Sequence, residues 1–366
     1  MSEVIVRVEN GVGHLTLNRP EALHALNTAM CAAMIEALVA WRDDPGVTLV
    51  VIDHAPGTRG FCAGGDIRML AESGARDGRE AREFFFTEYR LNHLLFTFAK
   101  PVIAIMDGVT MGGGVGISMP ARIRIATENT TYAMPETGIG LFPDVGGGWY
   151  LPRKPGQIGM WLALTGARLK AADCIAAGIA THFVESAKAR ELALQFPFSL
   201  AEKGSGDEGH SIAPAPAAIG RPSPPAPSPQ GGGGVALTPD NIARINRIFA
   251  LDSVEAIFAA LDSDGSDWAQ AQLVTLRTKS PQTMKVAFRQ LREGARMASF
   301  TDEMRQEYRI GARVVQLHDF IEGVRALIVD KDNAPKWNPP TLEGVSDAML
   351  DEIFAPLPPA EEWSPL

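Results

Sequence analysis

The sequence predicts a layered α/β fold whose C-terminal third is mostly helical. Three observations predict it: apolar runs of strand length at 48–52 and 102–106, a glycine-rich loop after each, and helical apolar spacing elsewhere. A chain of 366 residues, 46% hydrophobic and 21% charged, is long enough for one large core and a second unit.

Residues 4–8 (VIVRV) and 12–17 (VGHLTL) flank a Glu-Asn-Gly turn and read as an opening hairpin. A helix follows from Asn27, a good N-cap, with Met30, Met34, Leu38 and Trp41 at helical spacing until Asp43, Asp44 and Pro45 end the pattern. The runs TLVVI and VIAIM are buried strands, with a polar helix at about 79–98 between them. Residues 203–235, dominated by Pro, Gly, Ala and Ser, have little to bury and read as a disordered insertion or linker. They separate a core at 1–200 from a helical region at 237–366, with helices predicted over Asn241–Leu261, Trp268–Lys279 and Pro281–Ala295.

A net charge of −9 excludes a broad phosphate-backbone footprint, so no nucleic-acid partner is expected. No apolar run reaches membrane-spanning length, and strand-like alternation begins at the N-terminus; no membrane partner and a cytosolic location are the expectations. Cys31, Cys62 and Cys174 are odd in number with no CxxC pairing, which points to reduced thiols and to neither a disulfide frame nor a metal site. The formal GxGxxG at 204–209 follows no strand and places Asp207 and Glu208 where a pyrophosphate would sit, so it is set aside. There is no Gly-x-Ser-x-Gly elbow or phosphate-binding loop.

Chemistry concentrates in three segments. The loops 61–66 (FCAGGD) and 111–116 (MGGGVG) each follow a buried strand, where open α/β sheets place ligands. Their N–H groups, if they converge, make an oxyanion hole worth about 3–4 kcal/mol per donor, although either loop alone fits tight packing as well. Residues 132–152 set Glu136 and Asp144 eight positions apart among apolar, Gly and Pro residues, a setting that desolvates carboxylates and raises their pKa.

The spaced series FCAGGD, MGGGVG and MPETGIGLFPDVGGG (134–148) resembles the crotonase (enoyl-CoA hydratase/isomerase) superfamily over residues 1–190. Further segments resemble the branch of that family that hydrolyses 3-hydroxyacyl-CoA thioesters, everywhere but 195–236: LTGARLK from Leu164, AGIATHFV from Ala177, HDFIEGVRA from His318, and Asp330-Lys-Asp with Pro335-Lys-Trp. The resemblance implies a crotonase-like fold of stacked β-β-α units and hydrolysis of 3-hydroxyisobutyryl-CoA, a step of valine breakdown, with 3-hydroxypropionyl-CoA as a second substrate. No permanently bound cofactor is implied, coenzyme A being part of the substrate, and a homo-oligomer is compatible with the family.

Carried over residue by residue, the resemblance implies an oxyanion hole from the N–H groups of Ala63 and Gly113. Glu136 becomes nucleophile or general base and Asp144 the acid–base partner, with Glu88, Gly113, Glu136 and Asp144 contacting substrate. Leu23, His24 and Ala25, together with Ala63, Gly65, Asp66 and Ile67, fall at coenzyme-A-contacting places, and Arg325, Lys331 and Lys336 form a basic cluster for phosphates. The first of two hydratase glutamates falls on Gly116, which argues against hydration of a double bond. The other readings are a different crotonase reaction using Glu136 alone, or a non-catalytic acyl-CoA-binding protein.

Overall fold

Asn10 and Gly11, with φ of 51° and 79°, close the hairpin of β1 (Val4–Glu9) and β2 (Val12–Leu17), in the left-handed conformations that a two-residue turn requires. The computed structural model describes residues 2–195 and 236–366; the predicted linker at 203–235 and the GxGxxG match lie outside the described residues. From β2 the chain continues through the helix Thr28–Arg42, whose Asn27 side chain accepts the Met30 N–H at 2.8 Å, into β3 (Leu49–His54) and β4 (Gly60–Cys62).

The strands β5 (Val102–Met106), β6 (Val109–Met111), β7 (Ile123–Ala126), β8 (Thr131–Ala133) and β9 (His182–Phe183) complete two sheets. From β3 on, the chain deals its strands alternately. Odd-numbered strands extend a six-stranded sheet of order β1-β2-β3-β5-β7-β9, parallel except for the hairpin, and β4, β6 and β8 form a parallel sheet of three. This is the stacked β-β-α arrangement. Each repeat ends where its even strand leaves the small sheet, so the loops after β4, β6 and β8 come to one region.

The central strands β3 and β5 are buried on both faces, which explains why they read as apolar runs. Val50, Ile52, Ala104 and Met106 enter the main core, while Val51, Ile103, Ile105 and Ile125 pack against Ala189 and Ala193 of the helix Ser186–Gln195. The helix Arg79–Phe96 buries Phe84, Phe85, Tyr89 and Leu95, and on the same face it also buries Glu88 and Asn92.

The C-terminal region is helical, and the main core runs into it without a break. Six of its helices start at a Ser or Thr whose hydroxyl accepts the N–H three residues on: Thr238, Ser253, Ser266, Ser280, Ser299 and Ser346. Ser253 divides the predicted helix Asn241–Leu261 into Pro239–Ile248 and Val254–Asp264. Among the described residues no helix is long and apolar enough to cross a membrane.

Candidate active site

The loop after β4 and the loop after β6 meet backbone to backbone: a methyl group on Gly112 would stand 3.2 Å from Gly64 Cα. Leu26 donates its N–H to the Gly64 carbonyl at 2.7 Å and accepts the Asp66 N–H at 2.9 Å. In this parallel bridge the N–H of the intervening Gly65 turns to the opposite side of the chain, toward a cavity of about 690 Å³ that Gly65 lines. Gly112 caps the helix Gly113–Ser118, so the Gly113 N–H is the first helical donor and has no acceptor within the helix; Gly113 lines the same cavity.

This geometry corrects one expected donor. The Ala63 N–H is spent on the Leu23 carbonyl at 3.0 Å, whereas among the described residues the Gly65 N–H has no acceptor. The expected Ala63 donor is therefore engaged elsewhere, and the unengaged N–H groups at the cavity, among the described residues, are those of Gly65 and Gly113.

Three carboxyl groups face the same space. Glu136 opens the 3-10 turn Glu136–Ile139, Asp144 follows it, and Glu88 comes from the helix Arg79–Phe96; they are 5%, 4% and 2% exposed. A methyl group on Gly112 would lie 3.4 Å from Glu136 Oε1, and one on Gly113 only 2.5 Å from Glu88 Oε1, so the two carboxyls flank the Gly112–Gly113 step. Asp144 Oδ2 accepts the Tyr89 hydroxyl at 2.8 Å. Glu88 Oε1 and Glu136 Oε2 are buried with no hydrogen-bond partner among the described residues.

Burial dominates their electrostatics. It pushes Asp144 up to about 7 against the opposing Tyr89 hydrogen bond. Glu136 is held well above the usual carboxylate range by burial and then by Asp144, with Lys279 pulling the other way, and Glu88 by burial and then Asp144. Burial thus shifts all three carboxyls toward their protonated forms, the direction in which acid–base work tunes a carboxyl.

Sequence reasoning missed Tyr89 and Lys279. Tyr89 follows a glutamate that resembles any solvated helix charge, and only tertiary packing turns both inward. Lys279 lines the cavity next to the turn after Glu136, where a methyl group on Gly138 would lie 3.2 Å from its Nζ. No local pattern marks it.

Of the residues expected at coenzyme A, Ala63, Gly65 and Ile67 line the cavity, and Leu23, His24, Ala25 and Asp66 do not. These four build the loop beneath it. Asp66 caps the helix Ile67–Gly74 and pairs with Arg19 at 2.7 Å, and the Ala25 carbonyl accepts from Arg19 Nη1 at 3.1 Å. His24, expected at coenzyme A, is instead fully buried: its Nδ1 accepts the Arg19 N–H at 3.0 Å, and its Nε2 is engaged by Thr58 Oγ1 at 2.9 Å. Burial lowers its pKa, leaving a neutral ring with no free donor. Arg325 likewise is not available to phosphates, since Glu322, Asp330 and Asp332 hold it at 2.6–2.8 Å. Burial pushes the Cys62 thiol up to about 12, so it is no nucleophile. Gly116, where a hydratase carries its first glutamate, is closed in: a methyl group there would stand 2.6 Å from Val145 Cβ and 2.7 Å from Asn92 Nδ2.

Comparison with known proteins shows what the whole chain is similar to. The chain is 44% identical over 356 residues to 3-hydroxyisobutyryl-CoA hydrolase, mitochondrial, of Gallus gallus, covering 97% of this chain and 89% of that protein. It is 45% identical over 350 residues to the protein of the same name in Xenopus tropicalis, covering 94% and 86%. The crystal structure of a carnitinyl-CoA dehydratase from Mycobacterium thermoresistibile superposes with a TM-score of 0.85 at 38% identity, over 100% of this chain and 99% of that one. Both hydrolases are named as mitochondrial, which overturns the cytosolic expectation; it rested on an N-terminal strand that carries no information about compartment. The enoyl-CoA hydratase/isomerase family model matches residues 12–354, and the chain belongs to that family.

Proposed function

We propose that this protein hydrolyses 3-hydroxyisobutyryl-CoA to 3-hydroxyisobutyrate and coenzyme A, with 3-hydroxypropionyl-CoA as a second substrate. The names of relatives matched over nearly their whole length support the reading. The observation that carries it is the second carboxyl in the cavity, Asp144, held by Tyr89 beside Glu136 and the free Gly65 and Gly113 amides. A double-bond isomerase needs one proton carrier, whereas thioester hydrolysis needs a nucleophile or base together with a group that serves the leaving thiolate and the incoming water.

In the proposed reaction the ionised Glu136 attacks the thioester carbonyl carbon, and the Gly65 and Gly113 N–H groups stabilise the oxyanion. The C–S bond breaks, the sulfur takes a proton from Asp144, and an acyl–Glu136 anhydride is left. Water then attacks the anhydride and gives its proton to Asp144, which restores both carboxyls. The pantetheine arm runs between Ala63–Ile67 and the wall formed by Leu327 and Ile328, which the π-helical turn Arg325–Val329 brings to the cavity. Hydration of an enoyl-CoA lacks room for its second acid at Gly116.

The test is thiol release from 3-hydroxyisobutyryl-CoA and 3-hydroxypropionyl-CoA against crotonyl-CoA, for wild type, Glu136→Ala and Asp144→Ala. Release from the hydroxyacyl thioesters that both variants lose is the expected result. Bound coenzyme A without thiol release, or turnover of crotonyl-CoA alone, would overturn it.

A further inference from the structure

We infer that Glu307, assisted by Gln290, is a positioning residue for Asp144: one buried carboxylate from the C-terminal region fixes the turn that aims the acid at the substrate. The inference rests on the hydrolase reading above.

Asp144 lies on a short stretch with little support of its own, between the 3-10 turn Glu136–Ile139 and the four-residue helix Gly147–Tyr150. Val145 and Gly146, which follow it, have φ of 53° and 90°, a left-handed pair that closes a turn in which the Gly147 N–H donates to the Asp144 carbonyl at 2.8 Å and the Gly146 and Gly148 N–H groups form a concavity. Glu307, fully buried on the helix Phe300–Val314, fills that concavity. Its Oε2 accepts the Gly146 N–H at 2.7 Å and its Oε1 accepts the Gly148 N–H at 3.1 Å. Gln290 Nε2, from the helix Pro281–Gly294, donates both to Glu307 Oε1 at 3.1 Å and to the Pro143 carbonyl at 2.9 Å. The backbone is thus tied on both sides of Asp144, from helices more than a hundred residues away in sequence.

Two of the three glycines that follow Val145 are required by the same surroundings. Glu303, one turn before Glu307, puts Oε1 where a Gly148 side chain would begin, 1.8 Å from an ideal Cβ. Gly146 is required by its φ. None of these groups lines the cavity, so their action reaches the substrate through Asp144.

The experiment compares wild type, Glu307→Gln, Asp144→Asn and the double variant by thiol release from 3-hydroxyisobutyryl-CoA, with crystal structures of wild type and Glu307→Gln. The glutamine keeps the volume but cannot accept both glycine N–H groups. Expected is a fall in kcat of about 100-fold, the cost of a misplacement of ~1 Å, with KM unchanged within about twofold. In the Asp144→Asn background the same change costs less than about twofold, because nothing remains to be aimed. The structure of Glu307→Gln shows the Tyr89–Asp144 hydrogen bond broken. Equal losses in both backgrounds, or a turn and Tyr89 contact that stay in place, would overturn the inference. If Glu307→Gln does not fold, Gln290→Leu replaces it, with the same pattern expected at about a tenth of the effect. A wild type that releases no thiol would sink the hydrolase reading alone, and the structures would still judge Glu307.

Discussion

Replacing Asp144 by asparagine should cut hydrolysis to a small residual rate and at the same time make the protein more stable. Burial raises Asp144 from its ordinary 3.8 to about 7, outweighing the Tyr89 hydrogen bond that favours the charge. A carboxyl whose folded-state pKa is raised binds its proton more tightly in the folded than in the unfolded chain. Stability therefore falls as pH climbs above the unfolded value and levels off above the folded one. The interval from 3.8 to about 7, at 1.36 kcal/mol per pH unit, comes to about 4 kcal/mol. Asparagine does not titrate, and its amide oxygen still accepts from Tyr89, whose favourable bond to the ionised carboxyl is already contained in the net shift. The variant should therefore gain about 4 kcal/mol at pH ~8. It also removes the like charge that burdens Glu136 and Glu88. Urea unfolding followed by tryptophan fluorescence reads this directly: the gap between variant and wild type should widen from about pH 4 to about pH 7 and then stay constant. A variant less stable than wild type at high pH, or a gap independent of pH, would show that burial does not set the energy of this carboxyl.

Other outcomes follow from the same geometry. Lys279→Met removes the cation that favours ionised Glu136, so the acid limb of the kcat/KM profile should move to higher pH and activity at neutral pH should drop several-fold; an unmoved limb would remove Lys279 from the electrostatics of the site. Gly113→Ala should cut kcat by about 100-fold or more, since its methyl group would press on Glu88 Oε1 at 2.5 Å and displace an oxyanion donor; near-normal turnover would count against that donor. Iodoacetamide should leave activity intact in the native protein, because Cys62 is buried and its thiol protonated; rapid inactivation protected by coenzyme A would contradict this.

Much of the architecture was legible because it rests on local signals: the Asn-Gly turn, the Asn27 cap, strand-length apolar runs and the helical spacing of the C-terminal region. Glu136 and Asp144 were legible for a related reason, since two carboxylates in an apolar, glycine-rich loop conflict with simple burial. What stayed hidden depends on which way a group turns. Ala63 and Gly65 are two residues apart in one loop, and only the bridge to Leu26 decides whose N–H reaches the cavity. Glu88 and Tyr89 sit on a helix that looks polar in sequence, and the contact between Tyr89 and Asp144 spans 55 positions. His24 misled for the converse reason: a polar loop residue becomes fully buried because Arg19 and Thr58 satisfy both of its ring nitrogens.

The packing around Gly116 bears on how such enzymes can be converted into one another. The volume that a second glutamate would need is filled by Val145 and Asn92, and Val145 belongs to the turn that delivers Asp144. The acid of a hydratase and the extra acid of this site are thus rival tenants of the same few cubic ångströms. A single exchange at position 116 inserts a carboxylate into occupied space and yields neither chemistry. Interconversion requires the 143–148 turn and its distant anchors to be rebuilt together, which places the two activities several coordinated changes apart even on an unchanged scaffold.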